Sequence, residues 1–423
     1  MKLFAHQETG IEYLKKHRYV LLADSMGLGK SLQAILAMEA TPGKRLVVVP
    51  AYLRDTWVAE IERFSTMVPA IVKGFGYDDW STPDVFICSY EGMKFIPSYL
   101  NLTSIVFDES QKIVNPKAKR TNLAHDLIGR QKPRNLYLLS GTPITKDVGQ
   151  FYAPLVLLSM CPARSNGQHL PGKTSHFDFQ KAFSNMGTRR INTPSGPRNI
   201  TEFTGVRNLL ELKRLFQDKY LRRTAEEVLD LPEISSKEII LPEDKSSREL
   251  EQAWKDHEAN TGTPAHIATC KKESAVSKAK ATTSYALDIL ENGEQVVIFS
   301  DHVDPVIKIA KGLSDKGITV GHIIGSVKPE DRAKLVARFQ AGLLEALVCT
   351  IPAASTGITL TAARHLIFND LSWSSTDNQQ AAARIHRIGQ ERKSFLHFIL
   401  RGKIDRQIKR KVIQKATLLK EVL

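Results

Sequence analysis

The stretch ADSMGLGKS, residues 23–31, decides how the rest of the chain is read. It follows the apolar run YVLL and precedes SLQAILAM, whose spacing is helical, so it joins a strand to a helix. Glycines at 27 and 29 let the backbone curl until its N–H groups and the helix N-terminus face phosphate oxygens. Lys30 then supplies a point charge near the β and γ phosphates, and Ser31 a hydroxyl for Mg2+. Asp24 stands where the strict GxxxxGK(S/T) pattern has its first glycine, and a glycine-rich helix start with an exposed lysine is the competing reading.

Outward from this loop, YVLLADS (19–25), RLVVVP (45–50), DVFICSY (84–90), SIVFDES (104–110) and NLYLLSG (135–141) alternate with helical patterns. Fully apolar strands between helices imply a parallel sheet covered on both faces. A second series, QVVIFS (295–300), ITVGHIIG (318–325), EALVCT (345–350), HLIFND (365–370) and FLHFIL (395–400), implies a second α/β lobe in tandem. The length of 423 residues agrees, being too great for one ordinary core. Residues 160–205, rich in Gly, Pro, Ser, Thr, Asn and Arg, read as an irregular insertion. The expected boundaries are 1–158 for the first lobe, 159–235 for the insertion and an interlobe brace, 236–285 for a helical protrusion, and 286–423 for the second lobe with a basic C-terminal helix.

In SIVFDES, Asp108 and Glu109 close an apolar strand beside the loop. Asp108 would hold Mg2+, and Glu109 would orient and deprotonate an attacking water. Taken alone, such a pair is more often a turn or a helix cap. In QQAAARIHRIGQ (379–390), Arg384 and Arg387 are three apart, on one helix face or its terminal turn, and suited to act on a γ phosphate as arginine fingers. A solvated basic face is the plainer reading of the same residues.

The formal charge of +14 and pI near 9.5 call for a polyanionic partner, nucleic acid first. No apolar run approaches the roughly 20 residues that cross a bilayer, so no membrane role is expected. Cys88, Cys161, Cys270 and Cys349 are scattered without a CxxC pair, which suggests neither zinc nor a disulfide framework and fits a reducing compartment.

In this order the motifs resemble those of superfamily-two helicase-like ATPases, and within them the Swi/Snf (sucrose non-fermenting) DNA translocases, over nearly the whole chain. LFAHQETGIEYL is similar to the family's adenine-recognition motif, with Gln7 as reader of the base, and DSMGLGKS resembles DEMGLGKT with Ser25 replacing Glu. VVVPAYLRDTW, ICSYEGM, FDES, LLSGTPI, VVIFSDH, STGITLTAA and ARIHRIGQ follow in the family's order, and FDES with TGITLTAA looks nearest to the HepA-related annealing-helicase branch.

The resemblance implies two RecA-like lobes that bind ATP and Mg2+. Met26, Gly27, Leu28 and Gly29 would join Gln7, Lys30 and Ser31 around the nucleotide, while Gly357 and Gln380 complete the closed interface. Gly141 and Thr142 would couple nucleotide state to movement. Pro50, Trp57, Ser89 and Tyr90 in the first lobe, and Ser300, Ser326 and Thr356 in the second, fall on motifs that grip the sugar-phosphate backbone. Lys112 opens the basic segment QKIVNPKAKRTNLAHDLIGRQKPR, and Arg222 and Arg223 match the pair in the family's brace. One departure is Ala383, where the family commonly has Asp. The expectation is a bare motor, an ATP-dependent translocase on double-stranded DNA, with a strand-separating or annealing helicase as the alternative. It would act as a monomer, directed by a recruiting protein, in the cytoplasm of a bacterial or archaeal cell or of a virus-infected host, without excluding a nucleus.

Overall fold

The computed structural model describes residues 3–143, 147–160, 175–193, 196–259, 263–354 and 358–422. The chain divides, in the main, into two units: Met1–Thr188 with Thr201–Val228, and Arg189–Ile200 with Leu229–Lys420.

In the first unit α1 (Ala5–His17) leads into β1 (Tyr19–Leu22), α2 (Lys30–Glu39), β2 (Arg45–Val49), α3 (Arg54–Phe64) and β3 (Pro69–Ile71). There follow β4 (Val85–Ser89), β5 (Ser104–Asp108), α4 (Lys119–Gln131), β6 (Asn135–Leu139) and α5 (Tyr152–Ser159). After α6 (His176–Phe183) come β7 (Asn185–Thr193) and β8 (Gly196–Thr204), whose residues 189–200 belong to the second unit, and then α7 (Leu209–Leu215), β9 (Tyr220–Leu221) and α8 (Ala225–Val228). One sheet runs β3-β4-β2-β5-β6-β1-β9 with every neighbouring pair parallel. Helices cover it, so every residue of β1, β2 and β6 is buried. Ile35 and Met38 of α2 and Trp57 and Ile61 of α3, spaced one turn apart, close over Val20, Leu22, Val47 and Val49. Truncating Ile61 to Ala here would cost about 2–5 kcal/mol, since its side chain is fully buried.

The second unit contains β10 (Ile234–Leu241), α9 (Lys245–Glu258), α10 (Pro264–Leu290), β11 (Val296–Ser300), α11 (Val303–Ser314), β12 (Val320–Ile323) and α12 (Pro329–Gln340). It continues with β13 (Ala346–Thr350), α13 (Ile351–Ala354), β14 (His365–Phe368), α14 (Ser375–Ala382), β15 (Ser394–Arg401) and α15 (Gly402–Val422). Its sheet, β10-β15-β14-β11-β13-β12, is also wholly parallel, with a core on each face. All ten apolar runs singled out in the sequence contain strands of these two sheets.

Four segments differ from expectation. The insertion read as irregular contains α6 and the two-stranded β7–β8 sheet, whose polar strands lack the apolar signature because neither belongs to a covered sheet. The segment 236–285, expected to protrude, supplies most of β10, which pairs with β15 along its whole length, and much of α10, which sets Ala279 into the second core; Ala286 of the same helix follows two turns later. Its polarity misleads for a physical reason. Ser247 caps α9 with Asp244, and the buried Lys271 and Lys278 of α10 are neutralised by Asp301 and Asp405 at 2.5 and 2.7 Å. The short β3 and β9 carried too few residues to register as apolar runs.

Candidate nucleotide site and nucleic-acid face

Parallel strands end at one edge of their sheet, so the loops after β1, β2, β4, β5 and β6 share a crest, the usual place for ligands on open α/β sheets. After β1 the backbone turns through Gly27 and Gly29 at φ of 83° and 74°, a left-handed region that strains any residue with a Cβ. Gly29 caps α2, leaving the first N–H groups of the helix facing the loop. Lys30 Nζ folds back to donate to the carbonyls of Asp24 at 2.7 Å and Ser25 at 3.1 Å. Ser31 is half-buried one residue on, as is Met26 in the loop, while Leu28 is buried. The start of α1 is fixed onto this loop: the His6 ring donates to the Leu28 carbonyl at 3.2 Å, and buried Gln7 lies against Gly29.

Asp108 and Glu109 end β5, two strands from β1 with β6 between. Asp108 Oδ2 accepts from Trp57 Nε1 at 2.8 Å and Oδ1 from the Glu109 N–H at 2.9 Å. Burial and the Glu109 charge push the Asp108 carboxyl up to about 7, opposed by Trp57, the Glu109 N–H and the charge of Lys30. Glu109 itself sits at φ 53°, a strained conformation for a residue with a side chain, and strain of this kind clusters at working sites. Gln111 donates from its amide to Glu109 Oε2, and its Oε1 accepts from Ser140 Oγ at 2.8 Å. Ser140 in turn accepts from the Thr142 N–H at 3.1 Å. A Cβ on Gly141 would fall 2.8 Å from Met26 Cγ and 3.4 Å from Lys30 Nζ, so the loop after β6 closes against the loop after β1. Lys30, Asp108 and Glu109, separated in sequence, thus share one crest.

The fit to a phosphate and its cation is physical. Positive-φ glycines let the backbone curl tightly around a bound group, and Asp108 carries a desolvated carboxyl whose raised proton affinity a bound cation would relieve. Ser31 and Asp108 are the residues that would hold Mg2+ there. Among the described residues Asp301, His302 and Asp370 also lie close enough to share an ion. There, however, the Lys271 ammonium already stands 2.5 Å from Asp301 and 4.0 Å from Asp370.

One residue of this site was read only as part of a brace. β9 runs parallel to β1, and beyond it the Ser25 N–H donates to the Arg223 carbonyl at 2.8 Å. The Arg223 guanidinium donates through Nε to Asp24 Oδ1 at 3.0 Å and through Nη2 to Oδ2, as well as to Gln33 Oε1 at 2.9 Å and the His6 carbonyl. Asp24 is fully buried, so this fork is what makes its charge tolerable. The signal was present in the sequence: a carboxylate in place of the first glycine, closing an apolar strand, demands a cation partner.

Around the crest Pro50 is buried after β2, and Tyr90 is buried with its hydroxyl donating to the Asp108 carbonyl at 2.6 Å. Trp57 is 2 % exposed and directed at Asp108. Ser89 Oγ accepts from the Gly92 N–H at 3.1 Å, and Lys112 is exposed. In the second unit buried Gln380 lies in α14, and Arg384 and Arg387 occupy the turns that follow it. Those turns are held by buried Ile385 and by Gln390, whose amide donates to the Ala363 carbonyl at 2.9 Å. Ser300 is buried at the end of β11 and donates to Asp370, whereas Ser326 is exposed after β12. Thr356 and Gly357 lie outside the described residues.

Comparison with known proteins gives the class. Residues 6–296 match the SNF2-related domain and residues 279–389 the helicase conserved C-terminal domain. The chain belongs to the SNF2-related family, a class of helicase-like ATPases. Within it, the chain is 27% identical over 436 residues to the human "DNA annealing helicase and endonuclease ZRANB3", covering 96% of this chain and 39% of that protein. It is 28% identical to the SWI/SNF-related matrix-associated actin-dependent regulator of chromatin subfamily A-like protein 1 of Xenopus tropicalis, covering 94% of this chain and 42% of the relative. The chain thus spans about two fifths of the length of these relatives. The Sulfolobus solfataricus SWI2/SNF2 ATPase core in complex with dsDNA aligns with TM-score 0.46 at 21% identity, over 100% of this chain and 93% of that one. Among the described residues no helix is long and apolar enough to cross a membrane.

Proposed function

We propose that this chain hydrolyses ATP under the control of double-stranded DNA and uses the cycle to move along the duplex backbone. The observation that carries the reading is the crest of the first unit, where Lys30, folded over a glycine-shaped loop, shares one sheet edge with Asp108 and with Glu109 in a strained backbone conformation. In this reading Lys30 and the N–H groups at the start of α2 bind the phosphates, and Glu109 positions a water and accepts its proton. Bound Mg2+ supplies charge neutralisation on the β and γ phosphates. Gln111 connects Glu109 to Ser140, so a change at the nucleotide shifts the loop after β6 as well. Arg384 and Arg387 stabilise charge on the transferred phosphoryl group. Exposed cations such as Lys112, together with Ser89, Ser326 and Thr356, are assigned to the sugar-phosphate backbone, while Pro50 and Ser300, both buried, are assigned to holding the loops behind that surface, so binding is sequence-independent and salt-sensitive.

Phosphate release with and without duplex DNA tests this. Lys30→Ala and Glu109→Gln are expected to lower the DNA-stimulated rate at least about a hundredfold while duplex binding persists. Wild-type turnover in either variant refutes the assignment. The names of the relatives favour one alternative, annealing or separation of strands. Triplex displacement without unwinding of a forked duplex supports translocation, and the reverse result supports strand separation.

A further inference from the structure

At the edge of the first sheet one aromatic ring stands in water against a second that is half-buried. Phe75, between β3 and β4, is 92 % exposed, and its ring meets that of Phe95 edge to face at 4.4 Å. Lys94 Nζ lies 4.8 Å from the centre of the Phe95 ring, Lys73 is exposed two residues before Phe75, and Tyr99 is 68 % exposed nearby in sequence. Single exposed apolar residues are ordinary, but a paired, cation-flanked cluster is the composition of a binding surface.

The turn that presents Phe75 is anchored. Tyr77 and Trp80 pack on each other at 4.8 Å and against buried Phe86 at 6.1 and 5.1 Å. Lys44 Nζ donates to the Pro83 carbonyl at 2.7 Å, and Asp79 Oδ1 accepts from the Thr82 N–H at 3.0 Å, which turns that carboxylate inward on its own loop. Gly74 and Gly76, at φ of 144° and 95°, give the backbone the path that leaves Phe75 outward.

Position indicates the ligand. β3 and β4 are parallel neighbours, so Phe75 follows the C-terminal end of one and Phe95 that of the other, on the crest that carries Pro50, Ser89 and Tyr90. Bases inside a duplex are stacked on each other and offer no free face; an unpaired base does, and it stacks on an aromatic ring while a neighbouring lysine meets its phosphate. We propose that Phe75, backed by Phe95 and flanked by Lys73 and Lys94, is a stacking platform for an unpaired base, so that the chain recognises DNA where duplex meets single strand. This deepens the DNA reading above and rests on it.

Fluorescence anisotropy of the full chain on a blunt duplex, and on the same duplex carrying an oligothymidine tail, tests the platform. Wild type should bind the tailed probe about tenfold more tightly; Phe75→Ala should erase the preference and Phe75→Trp keep it. Circular dichroism confirms that each variant is folded. Blunt-duplex binding with no tail preference, or a preference that survives in Phe75→Ala, overturns the platform and leaves the DNA reading standing. A docking site for a protein partner predicts that same null result. Tail binding without duplex binding upholds the platform and removes the duplex reading, and binding to neither probe removes both.

Discussion

Replacing Arg223 by Ala strands a buried charge. The guanidinium makes a two-pronged contact with Asp24, which is fully buried, and also holds Gln33 and the His6 carbonyl. The arginine side chain is only 13% exposed, so water replaces little of what is lost. Removing one partner of such a pair costs about 3–5 kcal/mol, whereas removing both together can be nearly neutral. Against a domain stability of about 5–15 kcal/mol, that is enough to loosen the first unit. Hydrogen–deuterium exchange through β1 and α2 is the assay, because it reports local opening without requiring one transition for two units. Arg223→Ala should accelerate exchange there by about two to four orders of magnitude, which is what 3–5 kcal/mol implies. Asp24→Asn with Arg223→Met should recover most of the protection. An Arg223→Ala chain whose exchange rises less than about fivefold, near the 1 kcal/mol of an exposed pair, would refute the reasoning.

Two further predictions concern the second unit. Lys278, 1% exposed, donates to Asp405 at 2.7 Å, so Lys278→Met should cost about 3–5 kcal/mol and expose α15 to limited proteolysis, with Asp405→Asn restoring resistance; an unchanged digestion pattern in the single variant contradicts this. His397 stands 3.0 Å from both the Tyr285 hydroxyl and His365, and burial, followed by the His365 and Lys237 charges, brings its pKa down to about 4. Its folded form therefore stays neutral while the unfolded form takes up a proton below about 6.5. Stability from this group is complete above that pH and is lost as pH falls toward 4, on the order of 1–2 kcal/mol after discounting its partial exposure. Thermal melts at pH 7 and pH 5 should differ more for wild type than for His397→Gln, and equal differences would dismiss the effect.

How much of this was legible depended on whether neighbours in space were neighbours in pattern. Strands such as Arg45–Val49 and Val296–Ser300 announce themselves because a covered parallel sheet demands unbroken apolar residues. β10 did not, since an edge strand with alternating burial reads as polar, and α10 hid its lysines' buried surroundings behind their own charge. At the site, Lys30, Asp108 and Glu109 could be read locally. Arg223 could not, because its contact with Asp24 spans 199 residues and only the fold brings them together. Trp57 was expected at the nucleic-acid backbone, and its indole N–H is directed instead to the Asp108 carboxylate, a contact no spacing rule predicts.

Gln7 and Gly29 occupy nearly the same space: a methyl at position 29 would stand 2.6 Å from the Gln7 amide nitrogen. A side chain at 29 would also have to adopt a φ of 74°, which strains any residue with a Cβ, and would push the Gln7 amide aside, so the bareness of that one position is what keeps room on the loop for the amide assigned to the base.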